Sequence, residues 1–152
     1  MKFHLTSATL ASFGLMCASL TGLAPLKLSA NFSPNFPDFT EAAIAQDAAP
    51  TVTTTSDSKA IELAKYLTKK GAKLYTAYWC PHCHNQKQRF GKEAVRQLQV
   101  VECDPRGVNP QTELCRSKKV RAYPTWEIDG KLYSGNKSLE NLANLSKYRG
   151  SL

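Results

Sequence analysis

Acidic residues are few in this chain: 12 Asp and Glu stand against 20 Lys and Arg, a net charge of +8 over 152 residues. Methionine and histidine are rarer still. The two Met are Met1 and Met16, and the three His are His4, His82 and His84. Long apolar runs are also missing, apart from residues 3–26 between Lys2 and Lys27, which carry no Asp, Glu, Lys or Arg. With one such stretch, a polytopic membrane protein is excluded. The length leaves room for one ordinary core and excludes an enzyme with a large separate cofactor domain. Disorder throughout does not fit 42% hydrophobic and 9% aromatic residues. There is no internal repeat and no second Cys-x-x-Cys.

The positive charge is concentrated. Residues 1–58 hold two basic and four acidic side chains, whereas 59–152 hold 18 basic and eight acidic, a net +10. The densest cluster, Arg116, Lys118, Lys119 and Arg121, falls around an expected helix end without interleaved aromatics. It reads as a solvated face and not as a nucleic-acid surface. Lys2 followed by the apolar Leu5–Leu28 stretch has the form of an export signal. Leu28-Ser29-Ala30 is a poor cleavage site, and the better Ala43-Ile44-Ala45 lies far beyond the apolar run. Thr, Ser and Gly dilute the hydrophobicity and favour cleavage, while 24 uncharged residues suffice for a retained anchor. Residues 1–30 are therefore a signal peptide or an N-terminal membrane anchor. Cys17 belongs to that segment. Residues 31–58, interrupted by Pro34, Pro37 and Pro50 and rich in Thr and Ser, read as a flexible linker.

The folded domain is expected over 59–152. Ile61, Ala64 and Leu67 recur at helical spacing before Gly71. Lys73–Trp79 reads as a buried strand, Pro81–Gly91 as a helix resuming through Glu93–Leu98, and Gln99–Glu102 as a second strand. A helix over Pro110–Lys119 follows. Thr125–Ile128 and Lys131–Tyr133 flank Asp129-Gly130, a tight-hairpin signal, and Ser138–Tyr148 closes the chain as a helix. This order predicts a small α/β sandwich.

The chemistry is carried by Trp79-Cys80-Pro81-His82-Cys83-His84 at the strand-to-helix junction. Cys80 at a helix N-terminus meets free N–H groups and the positive end of the helix dipole, which stabilise a thiolate. Pro81 suits the first helical position, where its missing N–H is not needed. His82 adds a donor, and a positive charge when protonated. Stabilising the reduced form makes the disulfide a stronger oxidant. Cys83, one turn in and more buried, is the resolving thiol.

Three rival readings are weaker. Cys80 to His84 matches the Cys-x-x-Cys-His of haem attachment, but the domain has no Met and no His outside the motif to serve as a second axial ligand. A zinc site fails because adjacent residues cannot all converge on one ion and there is no second Cys-x-x-Cys. A purely structural bridge fails because a two-residue loop constrains the unfolded chain little. No metal or other cofactor is expected.

Trp79-Cys80-Pro81-His82-Cys83, followed about 40 residues later by Tyr123-Pro124-Thr125, resembles the thioredoxin superfamily. The resemblance implies a compact three-layer α/β sandwich with a central mixed sheet. It also implies that Pro124 is cis and faces the cysteines, with Tyr123-Pro124 positioning substrate. Ala77–His84, Glu102-Cys103, Leu114-Cys115 and Tyr123–Trp126 are further similar to the thioredoxin-like domain fused to bacterial vitamin K epoxide reductase homologues. That likeness covers roughly half the chain. It implies disulfide exchange between exported proteins and a quinone-linked membrane enzyme, here a separate partner. One departure stands out: the position six residues before the first active-site cysteine, where many thioredoxins carry a buried carboxylate, is Leu74.

Cys103 and Cys115 form a second pair, 12 residues apart. In an exported protein a structural disulfide is favoured, and the resemblance favours it too; a redox relay with Cys80 and Cys83, or free thiols, are the alternatives. The reading is an exported thiol–disulfide oxidoreductase of the periplasm or thylakoid lumen, acting on exported proteins with cysteines. Cys80 is the nucleophile and Cys83 resolves, while Pro81, His82 and Trp79 tune and shield the pair. The Pro-His dipeptide tilts the direction toward oxidation. A reductase that keeps exported cysteines reduced is the runner-up, and a non-catalytic binding module is the rival from another class.

Overall fold

The computed structural model describes residues 45–152, so the expected signal or anchor lies outside the described residues. Among the described residues, no helix is long and apolar enough to cross a membrane.

Helix α1 (Ser58–Lys69) starts at Asp57, whose carboxylate accepts the Lys59 N–H at 2.9 Å. It buries Ala60, Leu63, Ala64 and Leu67, one stripe at helical spacing. Strand β1 (Lys73–Thr76) is central in a four-stranded sheet of order β2-β1-β3-β4. It pairs in parallel with β2 (Gln99–Glu102) and antiparallel with β3 (Thr125–Ile128), which pairs antiparallel with β4 (Lys131–Ser134). Asp129 (φ 49°) and Gly130 (φ 75°) form the hairpin turn, where two successive positive φ values match the twist of the strands.

The two faces of the sheet hold different cores, because neighbouring strand residues point to opposite sides. Leu74 and Trp126 pack with α1, with Phe90 of helix α2 (Pro81–Phe90), with Ala94 of the short helix α3 (Lys92–Val95) and with Leu142 of α5 (Leu139–Ser146). Tyr75 and Val101 pack instead with Cys103 and with Cys115 of α4 (Thr112–Ser117). Helices on both sides of a mixed sheet make the expected α/β sandwich, compatible with a thioredoxin-like fold.

A buried polar network crosses the second face. The Tyr75 hydroxyl donates to Glu127 Oε2 at 2.6 Å, and Lys118 Nζ pairs with Glu127 Oε1. Burial pushes the Glu127 carboxyl up, but the hydrogen bonds from Lys118 and Tyr75 outweigh it and hold the group below its ordinary value. Removing Glu127 would leave the fully buried Tyr75 hydroxyl without a partner, so Glu127→Ala should cost about 1–3 kcal/mol in denaturant unfolding at pH 7. A depressed carboxylate stabilises the fold above its unfolded pKa, about 4.3, and that part is lost as the pH falls through the lower folded value. The gap between wild type and variant should therefore narrow in acid.

Several boundaries move by one to three residues, as when the expected helix over Pro110–Lys119 forms only over Thr112–Ser117, and one moves for a visible reason. β1 ends at Thr76 and not at Trp79, because the Ala77 carbonyl turns back to accept the Cys80 N–H and the Tyr78 N–H goes to a side chain. The described end of the 31–58 stretch is also not a free linker. Asp47 pairs with Gly107, the Thr53 and Thr54 N–H groups donate to Gln88 Oε1, and Ser56 N–H donates to Glu93 Oε2. Thr54 O accepts from Lys92 N and Ser56 Oγ from Ala94 N, so the Thr/Ser run satisfies the free N–H groups at the start of α3. Its composition reads as a spacer, yet its hydroxyls and amides serve as caps.

Candidate active site

Cys80 is the N-cap of α2, and Pro81 takes the first helical position. The Cys80 backbone is extended (φ −81°, ψ 113°), its carbonyl accepts the His84 N–H, and its sulfur accepts the Cys83 N–H at 3.2 Å. A sulfur here occupies the place where Ser or Asp would cap a helix, and it takes the free N–H of Cys83 in the first turn. Cys83 lies one turn in. Its sulfur is 2.7 Å from that of Cys80, with the Cys83 thiol donating. Both are free thiols. Cys80 is 5% exposed and Cys83 1%, so the outer sulfur is the one nearer solvent. Burial, and then the hydrogen bond to Cys80, pushes the Cys83 thiol up to about 12.

The Tyr123-Pro124 peptide is cis, and the Tyr123 carbonyl lies 3.7 Å from Cys80 Sγ. Sequence residues 43 apart thus meet at one sulfur, because β3 returns beside β1. Trp79 is 55% exposed and stands edge-on to Tyr123, with ring centroids 6.3 Å apart. Its indole N–H donates to Asp104 Oδ2 at 2.8 Å. The Arg106 amide and then the Trp79 indole hold the Asp104 carboxyl below its ordinary value. Trp79 is therefore an exposed aromatic with a fixed orientation.

His82 is exposed on the first turn, and its side chain makes no hydrogen bond among the described residues. His84 turns the other way. Gln88 Oε1 is occupied by the Thr53 and Thr54 N–H groups, so Gln88 Nε2 is the donor that meets His84 Nε2 at 3.0 Å. Through its bonds from Thr53 and Thr54, Gln88 also ties the active-site helix to the segment before α1.

Cys103 and Cys115 are joined by a disulfide that closes the loop carrying Asp104. They sit on the Tyr75 face, in a cluster that includes Tyr123. Among the described residues, no group of three or more His, Cys, Asp or Glu is arranged to hold a metal ion. Sequence reasoning missed Asp104, which orients Trp79, and Glu102, which accepts the Tyr78 N–H at 3.2 Å and the Asp104 N–H at 2.9 Å. The available signal was an acidic residue ending the apolar strand before Cys103.

No family model matches the chain. It is 40% identical over 100 residues to thiol-disulfide oxidoreductase LTO1 of Arabidopsis thaliana. The match covers 64% of this chain and 27% of that protein, so the chain spans about a quarter of the relative's length. Together with the mixed sheet and the cysteine pair capping its active-site helix, this likeness supports a thioredoxin-like family for the chain.

Proposed function

We propose that the chain is an exported protein thiol–disulfide oxidoreductase that works as an oxidant through Cys80 and Cys83. The observation that carries the reading is the pair itself: two free sulfurs in contact, one capping a helix and one buried behind it. In the oxidised form, a substrate thiolate attacks Cys80 Sγ. The Cys80–Cys83 bond breaks, Cys83 leaves with the electron pair and takes a proton, and a mixed disulfide forms on Cys80. A second substrate thiolate then attacks the substrate sulfur of that bond and expels Cys80 as a thiolate. The substrate gains a disulfide and the protein holds two more electrons. The Cys83 N–H and the start of α2 stabilise the expelled Cys80 sulfur, which favours the reduced product and hence oxidation of substrate. A quinone-linked membrane enzyme similar to vitamin K epoxide reductase then takes the electrons. The export segment, the printed activity of the relative and the Cys-Pro-His-Cys motif support this reading.

The test is turnover of a reduced, unfolded protein by the oxidised chain, followed by the return of that protein's native activity. Catalysed disulfide formation is expected; no acceleration over glutathione disulfide alone would leave the binding module. Trp79 and Tyr123 frame the approach to Cys80, so Trp79→Ala should weaken protein substrates by about fivefold or more in KM. It should leave thermal stability nearly unchanged, because the indole is largely exposed. An equal loss with a small disulfide substrate would contradict that role.

A further inference from the structure

The Cys103–Cys115 bridge borders a groove that the exchange step at Cys80 does not use. Lys119, just after α4, is left-handed (φ 57°), and the chain turns back so that Val120 N–H donates to the Cys115 carbonyl at 3.0 Å. Val120 and Tyr123 then pack on the cluster that holds the bridge. Thr112, Cys115 and Arg116 share one face of α4, being three and four residues apart. Between that face, Pro105, Val120 and Tyr123 lies a groove of about 360 Å³, with the buried Cys103 and Cys115 at its base. Ligand pockets run from about 300 to 1,000 Å³, so this one is small and takes one large side chain with some water.

One residue joins this groove to the reacting sulfur. Tyr123 packs on the disulfide cluster and on the cluster of Ala77, Cys80 and Cys83, and its carbonyl lies 3.7 Å from Cys80 Sγ. The surroundings are basic. Arg116 lines the groove, and Arg121 stands exposed on the chain between the lining residues Val120 and Tyr123. Among the described residues, neither Lys119 nor Arg121 has a carboxylate within ion-pair distance. The nearby acidic groups are engaged: Glu127 by Lys118, and Asp104 by the Trp79 indole and Arg106. Glu113 pairs with Arg116 at 2.7 Å, but both side chains are three-quarters or more exposed, and such a pair is worth little in water.

We infer that this groove is a substrate subsite: it takes an apolar side chain near the reacting cysteine of a protein substrate, and Arg116 and Arg121 select acidic residues beside that side chain. The inference rests on the reading of Cys80 and Cys83 as an exchange pair. An extended chain advances about 3.3–3.6 Å per residue, so the anchoring side chain sits roughly two to four positions from the cysteine. The exchange itself is unchanged. The substrate thiolate attacks Cys80 Sγ, the Cys80–Cys83 bond breaks, and Cys83 leaves with the electron pair and takes a proton. The groove acts before that step, by lowering KM for a matching sequence.

The test uses the full oxidised chain and synthetic peptides with two cysteines, whose conversion to the disulfide is followed by chromatography after acid quenching. Leu or Gly is scanned over positions two to four on either side of the first cysteine, with Asp or Lys beside it. Each rate is divided by that peptide's rate with the uncharged bis(2-hydroxyethyl) disulfide, which removes differences in thiol reactivity and ring closure. At the best position Leu should exceed Gly by about fivefold or more, mainly through KM. Asp should exceed Lys by about fivefold or more at low salt and by less than about twofold at 0.5 M salt. Arg116→Glu with Arg121→Glu should abolish or reverse the Asp preference. The same charge change on α1, Lys59→Glu with Lys69→Glu, lies on the other face of the sheet and should keep it. Thr112→Trp, which fills the groove, should bring Leu and Gly within twofold. In the wild type, Leu within twofold of Gly at every position, or Asp within twofold of Lys at low salt, overturns the subsite. So does an Asp preference that the α1 pair removes as fully as the arginine pair. A wild-type chain that oxidises none of the peptides overturns the exchange reading beneath it.

Discussion

Cys83→Ser should accumulate a covalent complex with a protein substrate that carries a single reduced cysteine, joined through Cys80 and released by dithiothreitol, when the variant is first activated as a Cys80 mixed disulfide. Cys80→Ser should form no such complex and should lower turnover by about two orders of magnitude or more, since the thiolate is the exchanging species. The asymmetry follows from the site. Cys80 is the sulfur beside the Tyr123 carbonyl and the exposed Trp79, whereas Cys83 is buried behind it and its thiol is pushed up to about 12. Non-reducing electrophoresis of the two variants reads the result directly. Trapping through Cys83 instead would reverse the assigned roles.

The second large effect concerns stability. Replacing Cys103 and Cys115 together by Ser should cost about 3 kcal/mol in the chain-entropy model for a loop of this length. For a domain of roughly this size that lowers Tm by about 12 °C or more. The loss has a local consequence as well. The disulfide closes the loop whose Asp104 holds both the Trp79 indole and, through its amide, the Glu102 carboxylate. Calorimetry of the oxidised wild type and the double variant measures the first effect. Indole fluorescence near the melting range follows the second. Equal melting temperatures would mean that the bridge does not hold this side of the fold.

The fold was largely legible because its signals are local. The α1 stripe, the Asp129-Gly130 turn and the Pro at the start of α2 each act within a few residues, and each appears where the pattern put it. The misread segments are those where side chains take over backbone partners. Lys73–Trp79 is a continuous apolar and aromatic run, but Glu102 captures the Tyr78 amide and Trp79 turns outward to Asp104, so the strand stops at Thr76. Thr51–Ser58 has the composition of a spacer, and only the tertiary fold brings α3 near enough for Thr54 and Ser56 to cap it. At the site, the cysteine pair and Tyr123-Pro124 could be read from spacing and resemblance. The hold of Glu102 on the Tyr78 amide could not, because it depends on the parallel pairing of β1 with β2.

The central claim is that Cys80 and Cys83 form a couple poised to donate disulfides, and a glutathione redox titration of the purified chain, scored by thiol labelling, tests it most directly. The account predicts a midpoint of about −120 to −180 mV, where strong oxidants and isomerases fall. A midpoint near about −270 mV or lower would contradict it and make the protein a reductase.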